Sequence, residues 1–132
     1  MVLDGPRYWL IHSTEMVWNE DSAAEWAAQL RRGVLELCVL GAIAEEPRYG
    51  YELVTALAAT APLAAVEGTV YPLLRRLKQA GLVETTWRES TSGPPRQYYR
   101  LTPIGRRALR SMRTSWRDLV QGVDTFAGEM VG

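Results

Sequence analysis

Seven apolar residues toward the end of the chain, Leu109, Met112, Trp116, Leu119, Val123, Phe126 and Met130, recur at spacings of 3, 4, 3, 4, 3 and 4. That alternation is an a/d seam, the stripe of a helix made to lie against another helix. A lone helix with this seam buries nothing. The chain is therefore expected to offer its last helix to a symmetry mate, or to the apolar outer stripe of the mate's first helix. Gly122 and Gly128 weaken the final turns by about 1 kcal/mol each relative to alanine.

The same need for a partner is written into the first predicted helix. Asp21-Ser22 offers an N-cap, and Glu25 three residues after Ser22 completes a capping box, which predicts a helix from about Ala23 to Glu45. Leu30, Val34, Leu37, Cys38, Gly41 and Ala44 form one stripe, and Leu35, Val39, Ala42 and Ile43 form another. In a chain of 132 residues, one domain plus an arm or a docking helix, one stripe is expected to meet the core and the other a second subunit. The candidate dimer interface is Val34 and Leu37 with Leu109, Met112, Trp116, Leu119 and Val123.

Between these helices the punctuation is regular. Pro47 stops the first helix, and a short second one is expected from Tyr49 to Ala59, with Tyr49, Leu53, Ala56 and Leu57 inward. Thr60 to Ala65, around Pro62, reads as a turn. A third helix begins near Gly68 or Thr69 with Pro72 close to its first turn, and Gly81 is placed for a left-handed C-cap. Val83–Glu89 and Arg96–Leu101 read as two strands, joined by the turn-forming run from Ser90 to Pro95. Thr102-Pro103 supplies an N-cap and a proline at N1 for the last helix. Helix, helix, turn, helix, hairpin is the order of a winged helix-turn-helix. The expected fold class is mainly α with a small β-hairpin and a C-terminal dimerisation helix.

Net charge is zero, which by itself argues against a polyanionic partner. The distribution reverses that argument. From Arg48 to Arg110 there are ten basic and four acidic residues, whereas residues 1–47 carry three basic and eight acidic ones. A basic middle between acidic ends marks either a solvated surface or a face that meets nucleic acid.

The third helix favours the second reading. On a 3.6-residue period Val70, Leu73, Leu74, Leu77 and Ala80 share the core face, and Gly68, Tyr71, Arg75 and Lys78 share the opposite one. Arg75 suits a bidentate contact to guanine or a phosphate contact. Gly68 and Thr69 offer backbone N–H groups to a phosphate at the positive end of the helix dipole. Arg88 and Arg96 flank the hairpin tip, and either Tyr98 or Tyr99 must face outward because strand neighbours alternate. The hairpin also reads as plain cover for the core, with Trp87 and one tyrosine inward. The candidate DNA-binding residues are Gly68, Thr69, Tyr71, Arg75, Lys78, Arg88, Arg96 and Tyr98. Trp116 has two readings, seam residue or one half of a stack around a flat aromatic ligand.

Several classes are expected to be absent. One cysteine and one histidine, Cys38 and His12, allow no internal disulfide and make a metal or Cys-His catalytic site improbable. No paired carboxylates, nucleophile-base pair or phosphate-binding glycine loop can be assembled, so no enzyme and no cofactor are expected. The run from Val34 to Ala44 is too short to span a bilayer, and no signal peptide is apparent, so a cytoplasmic location is expected without membrane association.

The run Leu35-Glu36-Leu37 to Ala42-Ile43, followed by Tyr49-Gly50-Tyr51-Glu52-Leu53, resembles the opening of PadR-family regulators. Gly68-Thr69-Val70-Tyr71-Pro72-Leu73-Leu74-Arg75-Arg76-Leu77, then Gly81-Leu82-Val83, resembles their recognition helix. Arg96-Gln97-Tyr98-Tyr99-Arg100-Leu101-Thr102-Pro103-Ile104-Gly105 resembles their second wing strand and the helix start after it. The resemblance spans about Leu30 to Trp116. Its short tail is similar to the compact branch, whose members dimerise through the last helix and mostly repress transcription. Several are released by phenolic acids or by planar, often cationic drugs. In a multidrug-binding member a tryptophan on the last helix sandwiches the drug, and Trp116 occupies the similar place. Two features depart from that pattern. No cationic or hydroxyl donors for a phenolate pocket can be placed, and Arg113 and Arg117 beside Trp116 disfavour a cationic drug.

The expectation is thus a dimeric, sequence-specific DNA-binding regulator, with a double-stranded operator and a small aromatic effector as partners. The other class is a winged-helix adaptor that binds protein and ignores DNA, which calls for an apolar outer face on the third helix. The expected organisation is an arm over residues 1–21, either a true arm or an over-extended start ahead of Met16, then a DNA-binding domain over 22–101 and a dimerisation helix over 102–132.

Overall fold

The computed structural model describes residues 17–63 and 67–128. Most of the expected arm, the end of the first turn and Met130 of the seam lie outside those residues. In chain order the described elements are α1 (Glu20–Ala44), β1 (Arg48–Tyr49), α2 (Gly50–Ala58), a single 3-10 turn (Ala61–Leu63), α3 (Glu67–Gln79), β2 (Val83–Ser90), β3 (Gly93–Leu101) and α4 (Pro103–Ala127).

Helix α1 begins earlier than Ser22 predicts, because the cap is Asn19. The Asn19 side-chain oxygen accepts the Ser22 N–H at 3.0 Å, and Ser22 Oγ lies 3.3 Å from the Asn19 N–H. Ser22 thus plays the reciprocal partner three residues in, the role that the sequence reading gave to Glu25. The helix stops at Ala44, ahead of Pro47. Its last turn contains no basic residue, and the Arg48 guanidinium supplies the missing donor by giving Nε–H to the Ala42 carbonyl at 2.7 Å.

The chain divides into two compact units, residues 1–35 and 36–132. The second unit contains the winged-helix core. Val39, Leu40 and Ile43 of α1, Leu53 and Leu57 of α2, and Val70, Leu73, Leu74 and Leu77 of α3 are all buried there. Val83, Tyr99 and Leu101 close it from the sheet, and Leu109 from α4. The stripe holding Leu35, Val39 and Ile43 is therefore the inward one, joined by Leu40, which neither sequence stripe contains. Ala56 and Ala80, expected inward, are exposed. Their methyl groups are too small for their orientation to be set by hydrophobic pattern.

The sheet has three antiparallel strands rather than two, in the order β1-β3-β2. Arg48 pairs with Tyr99 and Tyr49 with Tyr98. Tyr49 thus belongs to an edge strand and precedes α2 instead of packing inside it. Helix α2 is capped there by Glu52, whose carboxylate accepts the Tyr49 N–H at 3.1 Å. The hairpin is also longer than expected. Pairing continues to Ser90 opposite Gly93, so only Thr91 and Ser92 form the turn. The register slips between Arg88 and Ser90, where Glu89 alone faces Pro94 and Pro95. Two residues that cannot donate to a ladder are accommodated by a bulge.

Two glycines are fixed by contact. A Cβ on Gly50 would clash with the edge of the Tyr71 ring, 2.9 Å from Cζ, so only glycine lets α3 cross the start of α2 this closely. A Cβ on Gly105 would strike the Leu82 carbonyl group. There the start of α4 is held by Thr102, whose Oγ1 donates to the Gly81 carbonyl at 2.6 Å and accepts the Gly105 N–H at 3.0 Å. Gly81 has φ +78°, the left-handed C-cap expected of it.

Candidate nucleic-acid interface

Helix α3 folds as its sequence requires. Burying Val70, Leu73, Leu74 and Leu77 turns Arg75, Arg76, Lys78 and Gln79 outward. Gly68 and Thr69 are exposed in the first turn, where backbone N–H groups have no partner within the helix. Arg76 lies 3.9 Å from Glu36 of α1, a long and exposed pair. Arg75 and Lys78 make no ion pair among the described residues. Tyr71 is half-buried over Gly50, with only part of its ring on the outer face.

The wing carries its cations on aromatic rings. Strand pairing sets Arg88 directly opposite Arg96 and Thr86 opposite Tyr98. Tyr98 is the outward tyrosine and Tyr99 the buried one. The Arg88 guanidinium lies 4.3 Å over the Tyr98 ring, and that of Arg96 lies 4.5 Å over Tyr49. The two rings meet edge to face at 5.4 Å, so the four side chains form one stack with a guanidinium at each end. Tyr49 was expected inward on the second helix and not among the DNA-binding residues, since a two-residue strand has no pattern to read. Two other basic residues are spent on the fold. Arg48 caps α1, and Arg100 pairs with its cross-strand neighbour Glu84 at 2.8 Å.

Helix and wing meet through tyrosines. Burial raises the Tyr99 phenol above its usual range, the nearby Tyr71 raises it further, and Arg75 pulls it down. Arg75, Tyr71 and Tyr99 therefore sit in one electrostatic neighbourhood. Trp87 does not cover the core as an inward wing residue would. It is 67% exposed, because β2 runs on past the helices before its alternation brings the indole to their side.

A family model for PadR-like transcriptional regulators matches residues 39–111, more than half of the chain. The chain belongs to the PadR-like family of transcriptional regulators. A PadR family transcriptional regulator from Eggerthella lenta is 39% identical over 82% of this chain and 94% of its own, with a TM-score of 0.74. A PadR-like transcriptional regulator from Bacillus cereus is 38% identical over 76% and 98%, with a TM-score of 0.70. A curated protein from Lysinibacillus sphaericus, itself called an uncharacterised protein, is 29% identical over 97 residues, which is 72% of this chain and 89% of its own. The PadR-like match spans α2, α3 and the whole wing, and it gives this architecture its name, a winged helix.

In this PadR-like chain the seam of α4 is open. Leu109 is buried and Met112 half-buried, but Trp116 is 46% exposed, Leu119 and Val123 are exposed, and Phe126 is 93% exposed. Val34 and Leu37 of α1 are half-buried. Trp116 lines a hollow of about 480 Å³ with Arg113, Arg117, Val120 and Gln121. No helix among the described residues is long and apolar enough to cross a membrane.

Proposed function

We propose that this regulator is a homodimeric repressor that binds a palindromic or near-palindromic operator, one α3 entering the major groove of each half-site. The carrying observation is the outer face of α3, where Arg75 and Lys78 are exposed and make no ion pair among the described residues. Arg88 and Arg96 extend that face onto the wing. Gly68 and Thr69 would hold a phosphate with backbone N–H groups, while Tyr71 and Tyr98 position the backbone beside the cations. In this reading the protein works on DNA in the cytoplasm, and the proposed role calls for no catalysis and no cofactor.

The exposed seam of α4 supports dimerisation. Side chains as large as Trp116, Leu119 and Phe126 leave water only when a second helix covers them. Val34, Leu37, Leu109, Met112 and Val123 complete the interface. The hollow beside Trp116 supports a planar aromatic or phenolic effector that stacks on the indole and loosens the operator complex. Arg113 and Arg117 favour an anionic or neutral ligand there.

Selection of bound sequences from random duplex DNA tests the reading. The expected result is enrichment of a two-fold symmetric sequence whose half-site centres are about one helical repeat apart, or a multiple of it. A purified dimer that enriches nothing, and that binds heparin as well as any duplex, would refute it and leave the protein-binding adaptor. The outer face of α3 is cationic rather than apolar, which disfavours that alternative.

A further inference from the structure

Trp87, Gln97 and Arg96 from the wing and Tyr49, Gly50 and Tyr51 from the start of α2 line a hollow of about 180 Å³, with Tyr71 and Tyr99 completing it. We infer that this hollow seats one backbone phosphate of the bound duplex, and that Tyr51, Trp87 and Gln97 are DNA-contacting residues in addition to the basic ones. The inference rests on the DNA-binding reading of α3 and the wing.

The donor set carries the argument. The lining contains one carboxamide, one indole and four phenols and no carboxylate, and Arg96 joins it from the opposite face of β3, where its guanidinium rests on Tyr49. Glu52 is not in the lining, and its carboxylate caps α2 by accepting the Tyr49 N–H. Among the described residues no hydrogen bond satisfies the Gln97 carboxamide, the Trp87 indole N–H or the Tyr51 hydroxyl. Trp87 and Gln97 are directly paired across the strands and therefore project from the same face of the sheet. Tyr51 is 58% exposed and Trp87 67%, so both can reach a ligand at the mouth of the hollow. Gly50 and Tyr51 of the opening turn of α2 also line the hollow, where backbone N–H groups have no partner within the helix.

Position selects the occupant. The hollow is lined by Arg96 of the wing and Tyr71 of α3, so it is continuous with the proposed DNA face. A donor-rich hollow with no carboxylate in its lining and Arg96 at its border takes an anion. On a face that meets a duplex, that anion is a phosphodiester. Its role is to fix how the wing and α2 straddle one strand, without reading a base.

The test uses the full-length protein and two 30-base-pair probes, the best sequence from the selection and a random-sequence duplex. Trp87→Ala removes the indole, Gln97→Glu puts a carboxylate into the hollow, and Gln97→Lys adds a cation. Because Trp87 is exposed and Gln97 lies on the wing, all three should unfold at the wild-type temperature. The expected result is about tenfold weaker binding for Gln97→Glu and Trp87→Ala, equal on both probes, as for loss of one charge-assisted contact. Gln97→Lys should bind at least as tightly as wild type, with a steeper salt dependence. Unchanged affinity in the first two variants, while Arg75→Ala/Lys78→Ala weakens binding, would overturn the phosphate seat alone. A loss confined to the selected sequence would overturn it in favour of base reading. A wild-type protein that binds neither probe would overturn the DNA-binding reading itself.

Discussion

Salt dependence turns the cationic face into a number. Each basic side chain that neutralises a phosphate releases about 0.9 of a condensed counterion, so the slope of log K against log salt counts the contacts. Arg75, Lys78, Arg88 and Arg96 make no ion pair among the described residues, so all four are available to DNA in each subunit. A dimer would then make about eight such contacts, with a slope near −7 and a loss of roughly 10⁴ in affinity between 50 and 200 mM salt. Arg75→Ala with Lys78→Ala removes about four of the eight, which brings the slope to about −3.6 and the loss to roughly 10². Both residues are exposed and bear no weight in the core, so the unfolding midpoint should not move. Fluorescence anisotropy with a labelled selected duplex, titrated at several salt concentrations, reads the slope. A double variant with the wild-type slope would refute the claim that α3 meets phosphate.

Other perturbations test the frame. Gly50→Ala drives a methyl into the Tyr71 ring and should cost about 1–3 kcal/mol, a fall of roughly 4–12 °C in thermal midpoint. Gly33→Ala meets nothing within 4 Å and should instead stabilise by about 0.5–1 kcal/mol, so calorimetry of the pair gives opposite signs. Leu119→Glu with Val123→Glu should halve the sedimenting mass and leave helical circular dichroism intact, because both side chains are exposed in the single chain. Planar aromatics should quench tryptophan emission, and a Trp116→Ala variant that keeps the full quench would remove that residue from the effector site. Burial raises both the Tyr99 phenol and the Cys38 thiol, so the folded chain holds protons that the unfolded chain releases. Stability should therefore be complete below the ordinary thiol range, begin to fall as pH climbs past about 8.5, and fall further past about 10. Tyr99→Phe should flatten the later part of that fall, as read by denaturant midpoints.

What sequence can show follows from what has a period. Leu73, Leu74 and Leu77 repeat at helical spacing, so the inner face of α3 and the outward turn of Arg75 and Lys78 are legible, as are the Thr102 cap and the left-handed Gly81. Strand β1 is not. A strand of two residues has no alternation, and Tyr49 becomes extended only because β3 offers it a partner. The Asn19 cap was hidden for a different reason. Asn19, Asp21 and Ser22 are all competent N-caps, and the choice among them depends on where the chain enters the helix. The fates of Arg48 and Arg100 were equally hidden. A count of basic residues cannot distinguish a cation tied to Ala42 or Glu84 from one left free for DNA.

The wing shows what that missing strand does for function. Arg88 and Arg96 face each other across the ladder, and like charges in register destabilise a hairpin. Elsewhere in the same sheet the corresponding pair is Glu84 with Arg100, which attracts. The repulsive pair is held because each guanidinium rests on a ring, Arg88 on Tyr98 and Arg96 on Tyr49. Tyr49 reaches its place only through β1, so the edge strand is what anchors the second cation. Two long, flexible side chains are thereby ordered before any partner arrives, and the entropy of fixing them is not charged to binding. Their mutual repulsion also remains unrelieved in the free protein, and an anion between them removes it. Tyr49→Ala should therefore weaken DNA binding about as much as Arg96→Ala does, although the tyrosine carries no charge. If Tyr49→Ala binds as wild type while Arg96→Ala does not, the rings do not organise the wing.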